Sequence, residues 1–254
     1  IRSDDKPLTH LGDWNGDGRD DVLILGKFDD PATPLVTTRV AGLLMRPGEL
    51  GGFGPTEWVG AIPAECLVGT YISASAIGDI DNDGALDVAC GDGHLHVVLG
   101  DGSGGLEPEL DLGWLDTTTN SIYNDINGIA IDDLDGDGLD DVVYVVRRVY
   151  DDPLDPTKKS GNLIIGWSRH TKDAEGKTVM APAAIAHEQT PATSTSANVW
   201  FMARPVIADV TGDGKVDVVI SGNDVDDRFD VFRNDTVAGG PPVFVATNQN
   251  GVFG

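Results

Sequence analysis

"IDDLDGDGLDDVVYVV", residues 131–146, places six aspartates among the ten positions 132–141 and then, with no linker, a run of valines and one tyrosine. The stretch recurs. "GDWNGDGRDDVLILG" starts at Gly12, "GDIDNDGALDVACG" at Gly78 and "ADVTGDGKVDVVISG" at Ala208. Aligned on the first aspartate of each acidic loop, the copies begin at Asp13, Asp79, Asp133 and Asp209, with intervals of 66, 54 and 76 residues. A long-period repeat of this kind signals an array of supersecondary units.

The units share one grammar. A short apolar segment precedes the loop, as in 71–78, 126–131 and 203–208, and a β-branched run of four to six residues leaves it. Further runs follow at 94–100, 162–167 and 229–234. Glycine bounds most of these runs, so the pattern predicts strands. Helical periodicity is nearly absent; the best stretch, 172–189, contains Gly176 and Pro182, which break a long helix. The expectation is an all-β fold, a β-propeller built from small antiparallel sheets packed face to face. Four blades are visible within one repeat domain spanning 1–254, with approximate boundaries 1–60, 61–118, 119–192 and 193–254. They form either a closed four-bladed ring or part of a larger propeller. Residues 27–35 and 147–161 read as loop insertions.

Numbered from its first aspartate, the loop carries side-chain oxygens at positions 1, 3, 5 and 9 and glycine at 6. The sets are Asp13, Asn15, Asp17, Asp21; Asp79, Asp81, Asp83, Asp87; Asp133, Asp135, Asp137, Asp141; and Asp209, Thr211, Asp213, Asp217. Hard oxygens converging around a glycine bend suit Ca2+, up to four ions in all. Position 7 (Arg19, Ala85, Leu139, Lys215) has no common side chain, as expected if it contributes a backbone carbonyl. Without a cation, like charges about 4 Å apart repel by roughly 1 to 4 kcal/mol per pair. An EF-hand would place a bidentate glutamate at position 12 on an exiting helix. Here position 12 is Ile24, Cys90, Tyr144 and Ile220, so the loop joins two strands. Position 2 is always apolar (Trp14, Ile80, Leu134, Val210) and is expected to pack the loop onto its blade; the position 8 acids Asp20 and Asp140 are expected to face water.

This D-x-D-x-D-G-x-x-D pattern resembles the FG-GAP or VCBS repeats of integrin α-chain propellers, of fungal and bacterial lectin-like propellers and of many secreted bacterial proteins. The resemblance implies calcium-binding blades, commonly six or seven to a propeller. Asn15 and Thr211 each remove one charge from the pattern and predict weaker first and fourth sites. The FG-GAP signature itself is echoed only in "GGFGP" (51–55) and the terminal "GVFG" (251–254).

The formal net charge is -25, from 17 basic and 42 acidic residues. Such a surface repels nucleic acid and anionic lipid. No apolar stretch is long enough to insert across a bilayer. An opening Ile1 leaves room for upstream sequence, including a removed signal peptide. Cys66 and Cys90 are the only cysteines, which leaves a disulfide and two buried thiols as alternatives; Asn234-Asp235-Thr236 matches a glycosylation sequon. "GDGSGG" (100–105) fits G-x-G-x-x-G but no helix follows, so it reads as a hairpin turn. His94 and His96 share one strand face, and Trp58, Trp114, Trp167 and Trp200 offer sugar-stacking rings, though core packing is the commoner role. No Ser-His-Asp order, nucleophile elbow or HExxH is present.

The resulting expectation is a secreted or cell-surface, calcium-stabilised, non-catalytic binding or adhesion module for a glycan or an extracellular protein, with other chains or domains as candidates to complete the propeller. The alternatives are an architectural subunit of a larger extracellular assembly and the propeller portion of a polysaccharide-degrading enzyme.

Overall fold

The computed structural model describes residues 8–28, 39–47, 53–62, 66, 74–91, 94–108, 110–114, 121–152, 155–172, 174, 178–189, 205–221 and 229–247. Within these residues there is no α-helix, and the strands form four four-stranded antiparallel sheets and one two-stranded hairpin. The first sheet runs β1 (Leu8–Gly12), β2 (Asp21–Phe28), β3 (Arg39–Pro47), β4 (Phe53–Ala61). The second runs β5 (Ala74–Gly78), β6 (Asp87–Gly91), β7 (His94–Val98), β8 (Leu110–Trp114). The third contains β9 (Ser121–Asp132), β10 (Asp141–Asp152) and β11 (Asp155–Ser168), and is completed by β14 (Ala184–Gln189). Between β11 and β14 lies the hairpin β12 (His170–Lys172) with β13 (Thr178–Met180). The fourth runs β15 (Pro205–Ala208), β16 (Asp217–Ser221), β17 (Phe229–Asn234), β18 (Phe244–Thr247). Each acidic loop joins the first two strands of its sheet.

One insertion expected as loop is different. Residues 147–161 extend β10 and β11 into a long hairpin, paired from Val142 with Ser168 as far as Asp152 with Asp155. Backbone pairing continues along the insertion, so the extra length lengthens the ladder.

Strand alternation explains how the sheets stack. Position 10 (Val88, Val142, Val218) and position 12 (Cys90, Tyr144, Ile220) point back to the preceding sheet. Position 2 and position 11 point forward. Trp14 and Leu23 meet the second sheet, Ile80 and Ala89 the third, Leu134 and Val143 the fourth. Three apolar cores result, each shared by consecutive sheets: one around Leu25 and Val88, one around Leu95 and Tyr144, one around Val145 and Phe232. Burying a large apolar side chain contributes about 1.5–3 kcal/mol, so each core rather than each sheet is the unit of stability. The approach is close enough that a Cβ on Gly78 would meet Ile131 of the third sheet at 2.7 Å.

Cys66 and Cys90 form a disulfide inside the first of these cores, with Cα atoms 5.2 Å apart. That settles the open alternative. Among the described residues the four sheets are not closed on one another, and no core joins the first sheet to the fourth.

Candidate metal centres

The four loops have nearly the same backbone. Position 6 is glycine at positive φ in every copy, from 82° at Gly18 to 90° at Gly84. Position 4 is left-handed too, in Gly16, Asn82, Gly136 and Gly212. In the sequence this second signal is a Gly/Asn column, and both residues tolerate that conformation.

The position 1 carboxylate ties each bend. Asp13 accepts from the Asp17 and Gly18 N–H groups at 3.0 and 2.8 Å, and Asp79 accepts from Asp83 and Gly84, both at 3.0 Å. Asp133 bonds Asp137 and Gly138 at 3.1 and 2.8 Å, and Asp209 bonds Asp213 and Gly214 at 3.2 and 2.9 Å. The position 5 carboxylates Asp17, Asp83, Asp137 and Asp213 accept from the position 7 N–H groups of Arg19, Ala85, Leu139 and Lys215.

Position 9 has a role that the ligand pattern did not reveal. Asp87 Oδ1 accepts from Gly100 N at 2.8 Å while Oδ2 accepts from Ile80 N at 2.6 Å. Asp141 takes the His170 N–H at 2.9 Å. Asp217 takes the Asn234 N–H at 2.9 Å through one oxygen and those of Val210 and Thr211, both at 3.0 Å, through the other. The carboxylate therefore clamps its loop to the end of the third strand of the same sheet. All three clamps are buried, as is Asp21 in the first loop.

The loops differ in what they gather. Among the described residues, Asp79, Asp81 and Asp87 bring one ligand oxygen each within 4.8 Å of one another, and so do Asp133, Asp135 and Asp141. The first and fourth loops lack such a carboxylate triad, because position 3 is Asn15 or Thr211. In the first, the Asn15 amide donates to Asp21 Oδ2 at 3.0 Å. The position 5 carboxylates stand outside both triads.

Electrostatics mark the same two loops. Burial pushes the Asp87 and Asp141 carboxyls up to about 7. Burial also raises Asp81, helped by Asp83, and raises Asp135 despite the Arg169 guanidinium 2.7 Å away. Buried Asp81 Oδ1 has no hydrogen-bond partner. An oxygen left this way at a carboxylate cluster fits a hard divalent cation, which would supply the missing partner and offset the crowding.

Other expectations sort themselves. Trp14, Ile80 and Leu134 are buried, but Val210 is 51% exposed, since none of the described sheets packs over it. Asp20 is exposed, whereas Asp140 is half-buried, its carboxyl raised by burial and by Asp132 and Asp79. Trp167 is core; the side chains of Trp58, Trp114 and Trp200 lie outside the described residues, as do residues 251–254. The 100–105 stretch is a turn, with Asp101 Oδ1 accepting from Ser103 N and Gly105 N at 2.8 Å each. His94 and His96 stack at 5.8 Å, with Asp111 3.4 Å from His94. The sequon asparagine, Asn234, is fully buried and donates its amide to Leu134 O at 2.7 Å, so it joins two sheets and is no glycan acceptor in the folded chain.

No family model matches the chain. No curated protein matches it either. Among solved structures it is similar to an Agrocybe aegerita lectin that recognises non-reducing terminal N-acetylglucosamine, at 15% identity and a TM-score of 0.44, over 98% of this chain and 73% of that one. Among the described residues no helix is long and apolar enough to cross a membrane.

Proposed function

We propose that the chain is a calcium-stabilised β-sheet repeat module of the FG-GAP/VCBS propeller type, acting outside the cell in recognition of a glycan or protein, with no catalysis of its own. The observation that carries this reading is the pair of carboxylate triads, each closed by a left-handed glycine bend, the first holding a buried Asp81 oxygen with no partner. Asp79, Asp81 and Asp87 would hold one ion, and Asp133, Asp135 and Asp141 another, with Asp83 and Asp137 and the Ala85 and Leu139 carbonyls completing each set. Bound calcium would neutralise the loop and fix its bend. The chain's own contribution is the position 9 clamp, which ties the loop to the end of the third strand in the second, third and fourth sheets. The first and fourth loops, through Asn15 and Thr211, would bind more weakly. Ca2+ is favoured over Mg2+ because a crowded, flexible cage of protein oxygens suits the larger ion.

The test is titration calorimetry of chelator-treated protein with CaCl2 and MgCl2, followed by melting. Two tight calcium sites, reduced to one by Asp135→Asn, are expected. An ion present at 100 times its dissociation constant adds about 2.7 kcal/mol per site. Absence of calcium heat together with an unchanged melt would refute the metal reading. A second reading, an architectural subunit of a larger assembly, is favoured by the apolar residues left uncovered on the two end sheets, including Leu11 at 66% exposure and Val206 at 59%.

A further inference from the structure

One column of the repeat stands beside the acidic loops. Asp87, Asp141 and Asp217 accept from the N–H groups of Gly100, His170 and Asn234, so the residues just before these, Leu99, Arg169 and Arg233, are equivalent. Each meets a different position 3. In the second sheet the pair is Leu99 and Asp81: Leu99 packs on the core shared with the third sheet, and buried Asp81 Oδ1 has no hydrogen-bond partner. In the third it is Arg169 and Asp135, with one guanidinium nitrogen, Nη2, 2.7 Å from Asp135 Oδ2 and 3.5 Å from Asp137 Oδ2. In the fourth, position 3 is Thr211, which carries no charge, and Arg233 turns instead to Asp235, with Nε 2.7 Å from Oδ1.

The third loop thus has a cation of its own. The Asp135 side chain is fully buried, and a buried charge whose partner is removed is left uncompensated. The same guanidinium donates through Nη1 to Gly239 O at 2.8 Å, in the turn between β17 and β18, and Gly239 N donates back to Asp135 O at 3.3 Å. Asp135 is therefore held through both side chain and backbone against one turn of the next sheet. Among the described residues no basic side chain pairs with Asp79, Asp81, Asp83 or Asp87.

We propose that Arg169 is the resident cation of the third loop: its guanidinium fills at Asp135 the role that a divalent ion would fill at Asp81. Of the two carboxylate triads, only the second then depends on an added ion for its order. The third loop is held by the chain itself and fastened by the same side chain to the fourth sheet. Under the calcium reading proposed above, on which this part rests, an ion entering the third loop meets Asp135 Oδ2 already engaged and repels the guanidinium. It binds there more weakly than at the second loop, by about tenfold if the coupling lies at the low end of the usual range. Linkage makes the effect mutual, so the bound ion loosens the hold of Arg169 on Asp135 by the same factor.

The experiment is hydrogen exchange read by mass spectrometry on peptides covering 79–87 and 133–141, in chelator. The Asp83 and Gly84 amides donate to Asp79 as those of Asp137 and Gly138 do to Asp133, so the two loops share their bonds and differ in the cation. In wild type the third loop should exchange about tenfold more slowly than the second. Arg169→Gln should bring the third loop to the rate of the second and speed exchange at Gly239, leaving the second loop unchanged. Arg169→Lys, which keeps the charge, should stay near wild type. In a calorimetric titration with CaCl2, Arg169→Gln should tighten one site about tenfold. Equal exchange of the two loops in wild type, which needs no variant to fold, or a third loop unmoved by Arg169→Gln would overturn the proposal. If the chain takes up no calcium, the function proposed above falls, and the exchange comparison in chelator still decides for or against Arg169.

Discussion

Replacing Asp87 with alanine separates the clamp from the ion. Its carboxylate is fully buried and accepts two short backbone hydrogen bonds, from Ile80 at 2.6 Å and Gly100 at 2.8 Å, with a longer one from Asp81 at 3.4 Å. Hydrogen bonds to a charged group contribute about 1.5–3 kcal/mol each, so losing the two short ones costs about 3–6 kcal/mol. That is a large share of the roughly 5–15 kcal/mol by which a domain is stable. Asp83→Ala removes a more exposed carboxylate that accepts one N–H, from Ala85 at 2.7 Å, and should cost about 1 kcal/mol. Urea denaturation of both variants at pH 8 in chelator, followed by a repeat in excess calcium, measures the difference. In chelator Asp87→Ala should lose several times as much as Asp83→Ala, and calcium should rescue neither to wild type. Equal, small losses in chelator would refute the clamp, because they would mean that the buried N–H groups find other partners.

The remaining predictions concern protons and the disulfide. Asp87 and Asp141 carry carboxyls raised to about 7 in the folded chain against an ordinary 3.8, so the native state keeps protons that the unfolded state releases. Their contribution is therefore full below about pH 4 and is lost as pH rises through 7, amounting to as much as about 2 kcal/mol per carboxyl between pH 5 and 8. Urea midpoints in chelator should fall over that range for wild type and stay flat for an Asp87→Asn/Asp141→Asn double variant, while calcium, by favouring the ionised form, should remove the fall. Reducing Cys66–Cys90, which closes a 24-residue separation, should lower stability by about 3 kcal/mol, read as a shift in the calorimetric melt with and without reductant.

The four-fold loop was legible because its chemistry is local. Aspartates at alternate positions, glycine at position 6 and the β-branched run beyond define a strand, a bend and a second strand within about fifteen residues. Position 12, apolar in all four copies, excludes an EF-hand on the sequence alone; in the structure Cys90, Tyr144 and Ile220 pack back on the preceding sheet. The Asn234 sequon is a short match of the kind that is often accidental, and its amide is held by Leu134, a hundred residues earlier.

By itself, then, the sequence determined the all-β character, the repeat and the sets of oxygens, because backbone conformation and turn chemistry depend on near neighbours. Tertiary structure alone decided which of four equivalent valines, leucines and isoleucines are covered, why Val210 stands out while Leu134 is sealed, and that the position 9 aspartate grips a strand as well as facing its loop. Those outcomes depend on which sheet arrives from tens of residues away, and an apolar residue is written the same way whether or not a neighbour comes to cover it.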